Sequence, residues 1–145
     1  MRIHEVLSVK AGAEIISIGP DASACEAVKL MTDRDIGSLV VLREGDMVGF
    51  ITERNILRGM HTRGCAPTVI KVSDLMEKEP LVATPDDSVD YARDAMTKSH
   101  TSHLVVLEGS RLIGVISFHD VARACLKEAS FENALLKRYI KHWPE

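Results

Sequence analysis

Apolar positions along the chain fall into two kinds of run, and each kind occurs twice. Residues 39–42 and 104–107 read Leu-Val-Val-Leu, and each run is followed by a polar tetrad, Arg43-Glu44-Gly45-Asp46 or Glu108-Gly109-Ser110-Arg111. Further apolar stretches follow at 47–51 and 112–116. Unbroken apolar runs of this length around a tight polar turn predict strand, turn, strand, with the strands buried on both faces. A shorter run at 15–18, closed by Gly19-Pro20, predicts another buried strand ending at a turn. Ala24, Ala27, Val28 and Met31 then recur at the spacing of one helical stripe, with Asp21 or Ser23 placed to cap the helix start. In the second half Pro85-Asp86-Asp87-Ser88 leads in the same way into Val89, Ala92 and Met96.

The two halves are copies. At an offset of 65 residues, positions 20–58 align without a gap on 85–123, and 13 of the 39 pairs are identical; ordinary composition would give about two or three by chance. Each copy closes on the same signature: Met47-Val48-Gly49-Phe50-Ile51-Thr52-Glu53-Arg54-Asn55 in the first, and Leu112-Ile113-Gly114-Val115-Ile116-Ser117-Phe118-His119-Asp120 in the second. A second helix is expected from Thr52 or Ser117, carrying Ile56 and Leu57 or Val121, Ala122, Cys125 and Leu126. Each copy therefore reads β-α-β-β-α, an α+β arrangement. Short amphipathic lead-ins at 2–7 and 71–76 match at an offset of 69, so the first copy carries extra residues around 10–14. With Gly64 and Pro67 marking a linker, the boundaries fall at 1–65, 66–128 and 129–145. The last segment continues as a helix, with Phe131, Leu135, Tyr139 and Trp143 along one side and Lys137, Arg138, Lys141 and His142 interspersed. Such a stripe wants cover, first from its own domain or a second subunit and only then from a foreign protein.

Composition narrows the function without naming it. The chain of 145 residues is 46% hydrophobic and 27% charged, which suits a globular domain, and its net charge of -3 gives no footprint for nucleic acid or anionic membrane. No apolar run has the length of a membrane span, and the N-terminal residues lack a signal segment, so a cytoplasmic location is expected. Cys25, Cys65 and Cys125 are odd in number and widely spaced, which argues against a disulfide framework or a metal site. His100 and His103, just before a strand, suit surface or interface roles. No nucleophile elbow, HExxH, phosphate loop or Rossmann fingerprint is present, so no catalytic residues are expected.

The Pro-Asp before each first helix and the duplicated Gly-apolar-apolar-[Ser/Thr]-x-x-[Asp/Asn] make the chain similar to a tandem cystathionine-β-synthase (CBS) domain pair of the stand-alone bacterial or archaeal type, from about residue 6 to 128. The resemblance implies two repeats under pseudo-twofold symmetry with two clefts between them, binding adenosine-containing ligands such as AMP, ATP, NAD or S-adenosylmethionine. The physics of the signature agrees: a hydroxyl at a helix start suits a phosphate, and a carboxylate one turn later can accept the hydroxyls of a ribose. Carried over, one cleft takes Ser117 and His119 towards phosphate and Asp120 towards ribose, with Ile36 and Gly37 lining the base and Ala24 nearby. The other takes Thr52, Arg54 and Asn55 against Thr84, Val89, Thr101 and Ser102. Gly19 stands where many relatives have Thr, and Asn55 replaces the ribose-binding carboxylate, so the clefts should differ in affinity. Both Asp120 and Asn55 also lie where a local hydrogen-bonding role would suffice.

The reading that follows is a non-enzymatic regulatory module that needs no cofactor, senses an adenine nucleotide and signals to a partner protein. Its competitor is an assembly protein with vestigial clefts, and an enzyme centred on His119 and Asp120 stands third. CBS pairs commonly associate through their helical faces, so a homodimer is expected, with Ile56, Leu57, Val121 and Cys125 near its surface and the C-terminal helix as a clasp.

Overall fold

The computed structural model describes residues 1–10 and 14–141. Within each copy the strands expected from the apolar runs form one three-stranded sheet. In the first copy β1 (Ser17–Ile18) runs parallel to β2 (Ser38–Arg43), which pairs antiparallel with β3 (Asp46–Thr52). In the second, β4 (Val82–Ala83), β5 (His103–Glu108) and β6 (Arg111–Ser117) repeat that order. Leu39, Val40, Val41, Leu104, Val105 and Val106 are all buried, so the central strands are covered on both faces as their unbroken apolar runs predict. The first hairpin turns through Glu44 and Gly45, both at positive φ (51° and 86°), which matches the right-handed twist of the flanking strands. A register shift between Val41 and Leu42 recurs between Val106 and Leu107, so even the bulge is duplicated.

The helices also repeat. Ser23 rather than Asp21 caps α2 (Ala24–Arg34): its hydroxyl accepts from Glu26 N–H at 3.1 Å, and Glu26 answers by accepting from Ser23 N–H at 3.0 Å. Ser88 caps α5 (Val89–Ser99) in the same place. Both helices end on a left-handed residue, Asp35 or His100, each at φ 53°. The second helices are α3 (Glu53–Arg63) and α6 (Phe118–Lys141). Ile56 and Val121 are buried in them, whereas Leu57 and Leu126 are each 71% exposed.

The lead-ins form α1 (Ile3–Val9) and α4 (Val72–Leu75), and neither stays with the repeat it precedes in the chain. Two compact units result, one of Met1–Gly12 with Leu81–Glu145 and one of Ala13–Pro80. The boundaries read from the duplication cut the chain between copies; the packing assigns each lead-in to the other copy. In the first unit Ile3 N–H donates to Asp87 O (2.9 Å), His4 N–H to Pro85 O (3.0 Å) and Val89 N–H to Met1 O (3.0 Å). In the second, Val72 N–H donates to Ala22 O (2.8 Å), Ser73 N–H to Pro20 O (3.0 Å) and Ala24 N–H to Ile70 O (2.8 Å). These are equivalent bonds. The core of the first unit gathers Ile3 and Val6 with Ala83, Val89, Ala92, Met96, Leu104, Val106 and Ile116; that of the second gathers Val72 with Ala27, Met31, Leu39, Val41, Ile51 and Ile56.

This packing explains the glycine of each signature. A Cβ on Gly114 would lie 2.7 Å from Leu7 Cδ2, and one on Gly49 would press into Met76 and sit 3.0 Å from the Glu77 carbonyl. Beyond residue 129, α6 exposes Phe131, Leu135, Leu136, Tyr139 and Ile140. The expected continuation of that stripe through Trp143, with His142 beside it, lies outside the described residues, as do most of the extra residues expected around 10–14.

Gly49→Ala is predicted to destabilise the protein by about 1–3 kcal/mol through overpacking. The Glu77 backbone cannot retreat, because its N–H donates to Phe50 O at 2.7 Å and its carbonyl accepts from Phe50 N–H at 2.9 Å. Urea unfolding of the variant against wild type checks this; an unchanged midpoint would show that the lead-in is not seated on β3.

Candidate functional site

Each signature ends a strand and starts a helix, which places its hydroxyl and its Asp or Asn as a reciprocal cap. In the first unit Ser117 N–H donates to Asp120 Oδ2 at 2.8 Å, and Asp120 N–H donates to Ser117 Oγ at 3.1 Å. In the second unit Thr52 N–H donates to Asn55 Oδ1 at 2.8 Å, Asn55 N–H to Thr52 Oγ1 at 3.2 Å, and the Thr52 hydroxyl to Asn55 Oδ1 at 3.0 Å. The local role weighed for Asp120 and Asn55 is therefore real: both satisfy backbone donors that a helix start leaves open.

Beyond the cap the two differ. Asp120 is 9% exposed, and its Oδ2 also accepts from Lys10 Nζ at 2.9 Å. Lys10, at the end of α1, donates in addition to Val115 O at 3.1 Å, and Arg123 Nη1 stands 4.0 Å from the other carboxylate oxygen, Oδ1. In the second unit Asn55 donates instead to a carboxylate, Glu77 Oε1, at 3.2 Å. Where one unit sets a cation against an acid, the other sets an acid against an amide.

Burial pushes the Asp120 carboxyl upward, but the Ser117 backbone hydrogen bond and the hydrogen bond and charge of Lys10 outweigh it, and its pKa ends below the ordinary value of 3.8. A carboxyl held below its unfolded value stabilises the fold above that value, and the contribution disappears as pH falls through the lowered native one. Asp120→Asn, which keeps an acceptor for the Ser117 N–H, should therefore cost stability at pH 7 and progressively less below about pH 4. Urea unfolding at pH 7 and pH 3 measures this; a deficit that is the same at both values would show that the charge on Asp120 contributes nothing.

The other residues read from the sequence fall beside these caps or behind them. Ser102 O accepts from Phe118 N–H at 2.7 Å, so Thr101 and Ser102 lie next to the Ser117 signature within one unit. Gly37 O accepts from Glu53 N–H at 3.0 Å, which sets Ile36 and Gly37 beside the Thr52 signature in the other. His119 and Arg54 are exposed on the first turns of α6 and α3, and Thr84, also exposed, donates its N–H to Asp87 Oδ2 at 2.8 Å. Ala24 and Val89 were expected to approach a ligand, but both are buried with essentially no exposed surface. They are the first helical residues of α2 and α5, and their N–H groups hold the lead-ins. Ile36 lines an apolar groove of about 390 Å³ in the second unit with Val28, Met31, Ile56, Leu57 and Met60, and Asp35 and Glu53 also border it.

Sequence reasoning missed Lys10 and Glu77. Neither belongs to a motif, and each reaches its partner only because a lead-in docks on the opposite copy. The offset of 69 between lead-ins was a usable signal for their shared role, though not for where they dock.

A duplicated α+β unit, each copy closing on a signature that caps the helix after its last strand, defines a class of tandem-repeat modules. The chain belongs to the CBS domain family: the family profile matches residues 8–62 and 72–127. It is 35% identical over 126 residues to a mitochondrial CBS domain-containing protein of Arabidopsis thaliana, a match covering 83% of this chain and 61% of the relative, so it spans under two thirds of that protein. Among solved structures, a CBS-domain containing protein from Agrobacterium tumefaciens superposes with a TM-score of 0.81 at 30% identity, covering 86% of this chain and 98% of the other. The CBS domain pair of protein MJ0100, solved in complex with 5′-methylthioadenosine and S-adenosyl-L-methionine, has the same fold at 21% identity and a TM-score of 0.75, covering 88% and 98%. No helix among the described residues is long and apolar enough to cross a membrane.

Proposed function

We propose that this protein is a regulatory module without catalytic activity of its own. It binds an adenosine-containing nucleotide of the AMP, ATP, NAD or S-adenosylmethionine class at its repeated signatures, and passes the change to a partner protein from the cytoplasm. The observation that carries this reading is the Asp120 carboxylate. It is held at a helix start with Oδ2 committed to Ser117 and Lys10, while Oδ1 has Arg123 no nearer than 4.0 Å. That leaves an oriented acceptor for a ribose hydroxyl, and Ser117, His119 and the first turn of α6 stand beside it for the phosphate. The MJ0100 pair, which holds two adenosine compounds, supports the ligand class.

The second site, at the Thr52, Arg54 and Asn55 signature, is the weaker binder. The Asn55 carbonyl oxygen already accepts twice and its amide is bonded to Glu77. The same satisfaction of Asn55 favours the alternative of an assembly protein with vestigial clefts, and the exposed stripe on α6 adds to it.

In a thermal-shift panel of AMP, ADP, ATP, NAD and S-adenosylmethionine, at least one ligand should stabilise the wild type, by roughly 2.7 kcal/mol at 100 times its dissociation constant. Asp120→Ala should lose the shift. No shift from any of them at millimolar concentration would overturn the nucleotide reading in favour of assembly.

The module acts as a homodimer through its helical faces, where Val28 and Leu57 of one unit, and Tyr91 and Leu126 of the other, are exposed apolar side chains. Light scattering should give twice the monomer mass at micromolar concentration, and Leu57→Glu should lower it. A monomeric wild type would end this assignment.

A further inference from the structure

We infer that Lys10 is a specificity-determining residue of the Asp120 site, one that makes the site require an anionic group on its ligand. The inference rests on the nucleotide reading above and adds the charge class of the ligand. Lys10 lies outside the signature and 110 residues from Asp120 in the chain, yet its ammonium is fixed by two bonds, to Asp120 Oδ2 at 2.9 Å and Val115 O at 3.1 Å. An ammonium has three donors, so one N–H is left, and the side chain keeps 32% of its surface exposed. The cation is thus pinned at the site and still open to a ligand.

The local charge count points the same way. Asp120 contributes one negative charge, against the positive charges of Lys10 and of Arg123, 4.0 Å from Oδ1, and the partial positive charge of the α6 N-terminus. The surroundings of the ribose acceptor are net positive, which suits a hydroxyl donor and a phosphate on one molecule and gives a neutral nucleoside only half of what is offered.

The equivalent place in the other unit is reversed. There the lead-in supplies Glu77, whose carboxylate accepts from Asn55 Nδ2 at 3.2 Å, and Glu53 opens the helix. An anion at that signature meets a carboxylate and a neutral amide where the first unit has a lysine, and its cation is Arg54 of the signature itself. The two lead-ins therefore bring opposite charges to their signatures, and only in the first does the lead-in itself supply a cation.

Isothermal titration of AMP and of adenosine into wild type, Lys10→Met and Lys10→Arg tests this. Methionine keeps the packing of the stem without the charge, and arginine keeps the charge. Wild type should prefer AMP to adenosine by about tenfold or more, the scale of one charge-assisted contact. Lys10→Met should lose that preference, its AMP-to-adenosine affinity ratio falling towards one, and Lys10→Arg should retain it. A Lys10→Met variant that binds both ligands more tightly would show that Lys10 blocks the site, and an unchanged AMP-to-adenosine ratio would show that it is a spectator; either overturns the inference while leaving the nucleotide reading intact. Failure of wild type to bind either ligand at millimolar concentration would overturn both.

Discussion

The packing of each lead-in onto the opposite copy is the constraint from which most of the molecule follows. A three-stranded sheet with two helices on it cannot cover its outer strand unaided, and a strand left bare there costs apolar burial. In one unit α1 supplies the cover with Ile3, Val6 and Leu7; in the other α4 does so with Val72, Leu75 and Met76. Because the covering segment must approach β3 or β6 closely, the strand position beneath it has to be glycine. The duplicated glycine is thus a packing requirement before it is part of any binding motif, and exchanging the lead-ins means that neither copy's core is complete from its own stretch of sequence.

The hydroxyl and the Asp or Asn of the signature likewise have a structural duty that precedes ligand chemistry. A helix starting directly from a strand leaves backbone N–H groups open, and a hydroxyl at the cap with an acceptor three residues later satisfies two of them reciprocally. Such a cap also fixes both side chains in one rotamer each, so any ligand meets groups already oriented. Asp120 can cap and still offer an oxygen, whereas the Asn55 amide is consumed by Thr52 and Glu77. The same local motif yields an available acceptor in one unit and a closed hydrogen-bond set in the other.

How much of this the sequence shows depends on the range of the interaction. The hairpins, the capped helices and the duplication itself are encoded within about ten residues of chain, in Leu-Val-Val-Leu followed by a polar turn and in Ser23 ahead of Ala24 and Ala27. The β-α-β-β-α order is legible from those alone. Assigning a lead-in to a repeat requires knowing which of two similar cores it enters, and Ile3 and Val72 suit either core equally well by composition. For the same reason Lys10 and Glu77 are invisible as site residues, since an isolated lysine or glutamate outside a motif carries no address. Ala24 and Val89 have a duty the sequence does not display either: as first residues of helices that hold a lead-in, both are buried.

Duplication first produces two equal scaffolds, and the places where these copies have since diverged are the ones the fold can spare. The apolar runs at 39–42 and 104–107 are unchanged, and six of their eight side chains are buried, with Leu42 and Leu107 half-buried. An aspartate exchanged for an asparagine at the third helical position keeps both capping bonds and removes only a charge. A lead-in side chain past its buried face can change sign without disturbing the packing beneath. The polar groups beside the two signatures have therefore diverged at positions whose backbone duties are insensitive to charge. Since the lead-in that sets the local charge also completes the core, a ligand that engages Lys10 acts on a segment whose movement would expose apolar surface. Lys10 thus ties the Asp120 carboxylate to the seating of α1, a tie that a residue on an independent surface loop would lack.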